Sequence, residues 1–213
     1  MIPTAAFSLC WKGHRLDLGT RTQVMGVLNV TPDSFADGGR YLKQERAIEH
    51  GLLLAAQGAD ILDVGGESTR PFSEQVSVEE EKARVVPVIK ALAREVAIPI
   101  SIDTTKAEVA RAAFRAGASI LNDVSALRFD PALAGVAAEA GVPVVLMHMK
   151  GEPGDMQVAP TYEALIPEIL AFLEDAVQRA VEAGVSRERI LVDPGIGFGK
   201  TFDHNLQLIR DLD

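Results

Sequence analysis

The feature that most constrains the fold is a repeated alternation of short apolar segments with longer amphipathic ones. The apolar segments are typical of buried β-strands and are predicted at 23–29, 60–64, 100–103, 119–122, 142–148 and 190–193. Helices are predicted between them at 42–57, 78–96, 107–116, 131–140 and 162–183, and a further helix begins near His204. Six consecutive strand–loop–helix units predict a parallel sheet with helices on its outside.

Two folds satisfy this alternation, a doubly wound sheet and a (β/α)8 TIM barrel. No strand is followed by the GxGxxG fingerprint of a dinucleotide-binding sheet. Polar residues of functional type end nearly every strand, whereas a doubly wound sheet concentrates such residues at its switch point. The sequence therefore predicts the barrel, which belongs to the α/β class.

The length of the chain limits how much of a barrel it can form. Eight β/α units need about 250 residues, and this chain has 213. We therefore expect a single barrel domain over residues 1–213 that contains about six of the eight units and is incomplete at its C-terminal end. Before the first unit, two short segments flank Lys12 and Gly13, which predicts an N-terminal β-hairpin. Residues 1–20 are expected to cap one end of the barrel.

Charge and cysteine content exclude several classes of partner. The net charge is −9, which argues against an extended nucleic-acid interface or an anionic membrane surface. Residues 1–20 lack the apolar core of a signal peptide, and no apolar run reaches the roughly 20 residues of a membrane span. The single cysteine, Cys10, excludes an intrachain disulfide and fits a reducing compartment. We expect a cytoplasmic protein that acts on small molecules.

Polar side chains stand at the carboxyl ends of the predicted strands, where a barrel builds its active site. Asp103, Asn122 and Asp193 end three of these strands. Two carboxylates and an amide suit the edge of a flat heterocycle that carries amino and amide groups. The alternative is that each residue only caps a helix or closes a turn. That explanation serves one such residue better than three, because a core buries few polar groups without a ligand. The apolar side chains expected around the heterocycle are Val124, Met147 and Phe198.

Three other residues have both a functional and a structural interpretation. Arg70 follows the turn Gly-Gly-Glu-Ser-Thr, where it is either an anion clamp or a solvated surface side chain. Asn29 ends the first strand of the repeat and either offers a neutral oxygen to Mg²⁺ or closes an Asx turn. His148 lies in an apolar run, which favours a buried structural histidine over a catalytic one.

The segment DPGIGFGK (193–200) resembles a phosphate loop. Its glycine and its Gly-Lys-Thr are one residue too close for the GxxxxGK[ST] template. The sequence therefore gives no support to a nucleotide triphosphatase.

Five segments together resemble one known family, the dihydropteroate synthases of the folate pathway. They are VMGVLNVTPDSFADGG (24–39), DILDVGGESTRP (60–71), ISIDTTKAEVARAAFRAGASILNDVSAL (100–127), VVLMHMKG (144–151) and LVDPGIGFGKTFDHN (191–205). The resemblance covers most of the chain. It implies a (β/α)8 barrel enzyme, a transferase that joins 6-hydroxymethyl-7,8-dihydropterin pyrophosphate to p-aminobenzoate and forms 7,8-dihydropteroate and pyrophosphate.

The resemblance also implies roles for individual residues. Those implied at the pterin edge are Asp103, Asn122 and Asp193, and those implied at the pterin ring face are Val124, Met147, Gly197 and Phe198. The residues implied on two loops that close over pyrophosphate and p-aminobenzoate are Phe35, Thr69, Arg70 and Pro71. Asn29 is implied as the Mg²⁺ ligand beside the pyrophosphate.

The family's reaction resembles a dissociative substitution, in which pyrophosphate leaves before the amine attacks a pterin methylene cation. Catalytic roles then fall to Asp103, Asp193 and Arg70. Negative charge on the two aspartates would stabilise a developing cation, and Mg²⁺ would offset charge on the leaving group. Loop closure would exclude water that otherwise traps the cation. The resemblance further implies a homodimer and a target of sulfonamides that compete with p-aminobenzoate.

The chain departs from the family pattern in two places. Phe72 stands where the family's second loop continues with glycine, and the family's later Ser-Arg-Lys and Arg-x-His segments do not occur before Asp213. We therefore expect the chain as written not to be a competent enzyme.

Two other functions stay open from the sequence. One is a related pterin-binding barrel that passes a methyl group from methyltetrahydrofolate to a corrinoid and has similar pterin residues. That barrel should lack the NVTPDSF and ESTRP loops, which are both present here. The other is a pterin-binding module without catalytic activity.

Overall fold

The computed structural model describes residues 7–31, 40–68, 76–151, 156 and 160–212, with residues 40–43 described by their backbone alone. The strands are β1 Phe7–Trp11, β2 His14–Leu18, β3 Met25–Asn29, β4 Ile61–Gly65, β5 Ile100–Asp103, β6 Ile120–Asp123, β7 Val144–Met147 and β8 Ile190–Asp193. The helices are α1 Arg40–Ala56, α2 Val78–Glu95, α3 Ala107–Ala116, α4 Leu133–Ala140, α5 Leu165–Glu182 and α6 Phe202–Arg210, with a short 3-10 helix at Arg187–Arg189.

The order of the strands in the sheet identifies the architecture. Strands β3 to β8 pair in chain order, each parallel to the next. A doubly wound sheet would reverse its strand order at a switch point, and no such reversal occurs among the described strands. The predicted fold class is therefore confirmed as a partial (β/α)8 barrel with six of its strands.

Burial varies across this sheet as expected for strands covered on both faces. Strand β4 is buried along its whole length, because helices cover one face and the barrel interior covers the other. Strands β3 and β8 form the two edges of the described sheet, and their Val27 and Val192 are 55% and 52% exposed.

Every predicted strand and α-helix has an observed counterpart whose ends differ by at most a few residues, whereas the 3-10 helix at Arg187–Arg189 was not predicted. Strand β7, for example, begins at Val144 rather than at Val142. The N–H of Val142 is instead 3.4 Å from the carbonyl oxygen of Ala137, in the turn that ends α4. The N–H of Val142 therefore contacts the end of α4 and is not part of β7.

Helix capping was predicted correctly for α2 and wrongly for α3. Ser77 caps α2 by accepting a hydrogen bond from the N–H of Glu80 at 3.2 Å. Neither Thr104 nor Thr105 caps α3, whose N-cap position is Lys106 and has no side-chain cap. The N–H of Ala107 donates instead to the Asp130 carboxylate at 2.8 Å. A residue from the loop after β6 thus replaces the local cap. None of the helices in the described part of the chain combines the length and apolar character that crossing a membrane requires.

The N-terminal hairpin closes the end of the barrel at which the strands begin. Strands β1 and β2 pair antiparallel, as predicted. Trp11 is 3% exposed and belongs to an apolar cluster with the first residues of barrel strands, Ile61 and Ile120. The segment after the hairpin is tied to β4 by a bidentate ion pair between Arg21 and Asp60. The hairpin therefore seals the interior with apolar surface.

We expect Trp11→Ala to lower the free energy of unfolding by about 3–5 kcal/mol, because a large buried side chain is lost and a cavity remains. Phe7→Ala in the same strand is the control, since Phe7 is 47% exposed and surface changes typically stay within about 0.5 kcal/mol. Urea unfolding of both variants measures the difference. Equal effects of the two changes would contradict the sealing role of Trp11.

Candidate active site

A row of polar residues crosses four neighbouring strands at their carboxyl ends. Asn29 pairs with Gly65, Gly65 with Asp103, and Asp103 with Asn122. Paired residues of parallel strands point to the same face of a sheet, so the side chains of Asn29, Asp103 and Asn122 share one face. The structure thus brings together three of the residues singled out from the sequence.

Gly65 leaves a gap in the middle of this row. A Cβ atom at Gly65 would lie 3.5 Å from Asn29 Oδ1 and 3.4 Å from Asp103 Oδ2. Glycine therefore keeps open the space between these two oxygen atoms.

Asp63 is a buried member of the site that the sequence interpretation missed. It lies two residues before Gly65 on the same face of β4 and is 4% exposed. The amide Nδ2 of Asn122 donates to Asp63 Oδ2 at 3.0 Å. This contact orients the Asn122 amide. The signal in the sequence was a carboxylate inside an otherwise apolar strand, which requires a partner.

The carboxyl groups of this site disfavour their charged forms. Burial raises the pKa of Asp103 well above its usual range, and neighbouring negative charges raise it further. Those charges belong to Asp63, Asp123, Glu81 and Glu67. Burial also raises the pKa of Asp63, although the hydrogen bond from Asn122 opposes this effect. A ligand that brings N–H donors or positive charge would relieve this repulsion.

Asp123 has a structural task at the end of β6. Its carboxylate accepts hydrogen bonds from the N–H groups of Ser125 at 2.8 Å and Leu127 at 2.6 Å. The turn between them contains two residues with positive φ, Ala126 at 53° and Leu127 at 65°. The bonds hold a strained turn and thereby fix the neighbouring Val124.

The three apolar residues singled out from the sequence lie together in one cluster, the apolar wall, which also contains further side chains. Val124 and Met147 are 5% and 3% exposed and share one cluster, against which Phe198 packs. Met149 and Met156 complete this cluster. Methionine side chains are flexible and polarisable, which suits contact with a flat ring.

The loop after β8 contributes the remaining predicted residues. Asp193 pairs with Met147, and its Oδ1 accepts the N–H of Gly195 at 2.7 Å. The N–H of Gly197 donates to Asn205 Oδ1 at 2.8 Å. These two bonds place Gly197 and Phe198 next to the apolar wall.

Glu67, from the Gly-Gly-Glu-Ser-Thr turn, belongs to a partly buried network of ion pairs. Lys106 bridges Glu67 and Glu81, with 2.6 Å between its Nζ and Glu81 Oε2. The other oxygen of Glu67 accepts the N–H of Val76 at 3.2 Å. Glu67, which precedes residues 69–75, is therefore bonded to Val76, which follows them. Sequence reasoning missed Lys106, whose partners lie on other elements.

Several predicted residues cannot be placed. Phe35, Thr69, Arg70 and Pro71, and also Phe72, lie outside the described residues. Within the described ranges, no three His, Cys, Asp or Glu side chains are grouped as a metal site.

His148 has structural surroundings, as predicted, and His204 has them too. His148 is 4% exposed, and its ring packs edge-on against Phe172 at 4.8 Å between centroids. Burial, followed by the charge of Lys200, lowers the pKa of His148 to about 4. His204 forms a capping box with Thr201 at the start of α6.

Comparison with known families gives one match over most of the chain. The family model described as "Pterin binding enzyme" matches residues 25–213. The dihydropteroate synthase of Synechocystis sp. is 49% identical over 196 residues, which is 92% of this chain and 68% of that protein.

Solved structures agree with this match. A structure of Xanthomonas albilineans dihydropteroate synthase with 4-aminobenzoic acid has a TM-score of 0.89 and 50% identity, and the alignment covers 98% of this chain and 73% of that one. The same Xanthomonas protein in complex with 7,8-dihydropteroate has a TM-score of 0.82 and 48% identity, with 94% and 70% covered. A Yersinia pestis dihydropteroate synthase in complex with a sulfonamide drug has a TM-score of 0.90 and 45% identity, with 97% and 74% covered.

We expect His148 to make the fold sensitive to acid. Its pKa is about 4 in the fold and about 6.5 in an unfolded chain. Between these values the unfolded state binds more protons, so stability falls as pH decreases through this window, by up to about 1.4 kcal/mol per pH unit. His148→Gln should flatten this part of the profile, as measured by urea unfolding from pH 6.5 to 4.

The exposed His50 is the matched control, and His50→Gln should leave the slope unchanged. An identical slope in the parent protein and in His148→Gln would show that His148 is not the group responsible.

Proposed function

Since the chain belongs to the pterin-binding enzyme family, and within it to the dihydropteroate synthases, we propose that it condenses 6-hydroxymethyl-7,8-dihydropterin pyrophosphate with p-aminobenzoate. The products are 7,8-dihydropteroate and pyrophosphate, in folate biosynthesis. The observation that carries this proposal is the row of Asp103 and Asn122 at the barrel mouth, with the buried Asp63 behind it. Relatives that bind 4-aminobenzoic acid and 7,8-dihydropteroate support it.

The pterin is proposed to bind edge-on to Asp103, Asn122 and Asp193. A pterin edge carries several N–H donors, and ionised carboxylates accept such donors strongly. Their approach would favour the charged form of Asp103, which its surroundings disfavour in the free protein. The flat ring would lie against the apolar wall. The residues proposed at the ring face are Val124, Met147, Gly197 and Phe198.

The reaction is proposed to be dissociative. The bond between the pterin methylene carbon and the pyrophosphate oxygen breaks, and its electron pair leaves with pyrophosphate. The resulting cation is delocalised over the pterin ring, where the carboxylates of Asp103 and Asp193 stabilise it. The amine of p-aminobenzoate then donates its lone pair to the methylene carbon and afterwards loses a proton.

Asn29 is proposed to hold Mg²⁺ beside the pyrophosphate. The gap at Gly65 leaves open space between Asn29 Oδ1 and Asp103 Oδ2, and neutral or anionic oxygens are the ligands that Mg²⁺ prefers. Mg²⁺ also needs few protein ligands, since water and phosphate oxygens complete its shell. When bound, the ion would offset the negative charge of the leaving group.

Other parts of the proposal rest on the family resemblance. Arg70, with Thr69, Pro71 and Phe35, is proposed to close over pyrophosphate and p-aminobenzoate. We also propose a homodimer in the cytoplasm and competition by sulfonamides at the p-aminobenzoate site. The sulfonamide complex of the Yersinia relative supports the last point.

The full-length protein should release pyrophosphate only when p-aminobenzoate is present, and Asp103→Ala should reduce this rate by about 100-fold or more. Asp103→Asn keeps the shape of the side chain and should be equally impaired, because the charge is lost. Both variants should keep or gain thermal stability, since they remove a half-buried carboxyl that neighbouring negative charges repel. A coupled pyrophosphate assay with a thermal melt measures both properties.

The exposed Asp175 on α5 provides the matched control, and Asp175→Ala should retain the parent rate. Absence of p-aminobenzoate-dependent pyrophosphate release from the full-length protein would refute the proposed function.

Asn29→Ala should raise the Mg²⁺ concentration for half-maximal activity by about tenfold or more. Asn29→Asp keeps an oxygen ligand and should not raise it. Titration of activity with Mg²⁺ measures this constant, and pterin binding without metal should be equal in both variants. An unchanged Mg²⁺ requirement in Asn29→Ala would remove Asn29 from the metal site.

A further inference from the structure

Lys200 is a buried cation directly beneath the loop that follows β8. It is 3% exposed. Its Nζ lies 2.8 Å from the carbonyl oxygen of Gly195, 2.9 Å from that of Phe198 and 3.3 Å from that of His148. The His148 ring nitrogen Nδ1 is a fourth neighbour at 3.0 Å. An ammonium group has three N–H donors, so these four acceptors use all of them.

The acceptors belong to two separate parts of the barrel mouth. Gly195 and Phe198 are in the loop after β8, whereas His148 follows β7 directly. The charge of Lys200 therefore joins the loop to the end of the neighbouring strand. Because all three N–H donors of Lys200 are used, its ammonium group cannot bind a phosphate. The resemblance of the segment DPGIGFGK to a phosphate loop is therefore not functional.

The backbone of the loop after β8 lies very close to the backbone of the residues that follow β7. A Cβ atom at Gly195, where φ is 67°, would lie 2.0 Å from the carbonyl oxygen of His148. A Cβ at Gly199, where φ is 63°, would lie 2.5 Å from the carbonyl oxygen of Lys150. Glycine alone permits this approach. It brings carbonyl oxygens of like partial charge together, and a cation between them offsets their repulsion.

This loop carries two of the four residues proposed at the pterin ring face, Gly197 and Phe198. Phe198 packs against the apolar cluster of Val124 and Met147. Gly197 directly precedes Phe198. Asp193 is the last residue of β8 and lies directly before the loop. A change in the loop of a fraction of an ångström would therefore move one wall of the pterin pocket.

We propose that Lys200 is a positioning residue for the pterin subsite, whose ammonium group holds Gly197 and Phe198 against the ring face without contacting substrate. The inference rests on the proposed function, since it names how that site is shaped. Burial lowers the pKa of Lys200 to about 8, and the nearby Asp193 carboxylate opposes this effect. The fold therefore retains a cation whose burial is unfavourable. This is consistent with a role in specifying the loop conformation rather than in global stability.

The test compares Lys200→Met with Lys90→Met. Methionine keeps most of the side-chain length and removes the charge, and Lys90 is an exposed lysine on α2 that serves as the control. The probe is 6-hydroxymethylpterin pyrophosphate, whose Kd is measured by calorimetry without p-aminobenzoate. We expect the Kd to rise roughly 10- to 100-fold in Lys200→Met and to stay at the parent value in Lys90→Met. The KM for p-aminobenzoate at saturating pterin substrate should not change.

A rescue experiment separates positioning from a general packing effect. Lys200→Cys in a Cys10→Ser background leaves one cysteine, because Cys10 is the only one in the sequence. Aminoethylation under denaturing conditions and refolding restores an ammonium group at nearly the length of lysine. The Kd should return to within a few-fold of the parent value only in the aminoethylated protein.

A third variant keeps the proposal testable if Lys200→Met does not fold. The Tyr162 hydroxyl donates to the carbonyl oxygen of Gly199 at 2.8 Å, so it holds the same loop from outside. Tyr162→Phe should raise the pterin Kd in the same direction by a smaller factor.

An unchanged pterin Kd in folded Lys200→Met, or in Tyr162→Phe where that variant alone folds, would overturn the proposal. So would equal losses for pterin and p-aminobenzoate. Failure of the parent protein to release pyrophosphate would instead count against the proposed function, because the Kd measurement requires no turnover.

Discussion

Parallel pairing of six strands in chain order is the constraint on which the rest of the structure depends. It places the carboxyl ends of all six strands at the same end of the barrel. The register then aligns Asn29, Gly65, Asp103 and Asn122 in a single row. Neighbours in this row are 36, 38 and 19 positions apart in the chain, and no long loop has to reach across to bring them together. The hairpin closes the opposite end with apolar side chains, so only the mouth is available for polar chemistry.

The mouth is strongly unfavourable for negative charge before a ligand binds. Asp63 is buried and Asp103 is half-buried, and each has a raised pKa. Proteins seldom bury carboxyls in this way without a partner. The unfavourable energy is relieved by a ligand that donates N–H groups or develops positive charge during reaction. The proposed pterin has both properties, so the same electrostatic arrangement serves binding and the stabilisation of a cationic intermediate.

Two lysines fix the loops on either side of this mouth by different means. Lys106 is paired with two carboxylates, Glu67 and Glu81, and thereby ties the end of β4 to α2. Lys200 has neutral acceptors, three carbonyl oxygens and an imidazole nitrogen. Burial lowers the pKa of Lys200, and carbonyl oxygens compensate a buried charge less completely than a carboxylate does. Each lysine thus fixes the position of a loop at the barrel mouth, Lys106 the one after β4 and Lys200 the one after β8.

The sequence by itself determined the alternation of strands and helices, the hairpin, the barrel rather than the doubly wound sheet, and the polar residues that end the strands. These features follow from local periodicity and from motifs within short segments. Only the tertiary structure revealed Asp63 behind Asn122, the pairing of Lys106 with Glu67, and Asp130 as the partner of Ala107 at the start of α3. Each of these contacts joins residues at least 23 positions apart, so no local pattern contains it. The carbonyl cage of Lys200 is likewise a property of backbone that approaches only after the strands have paired.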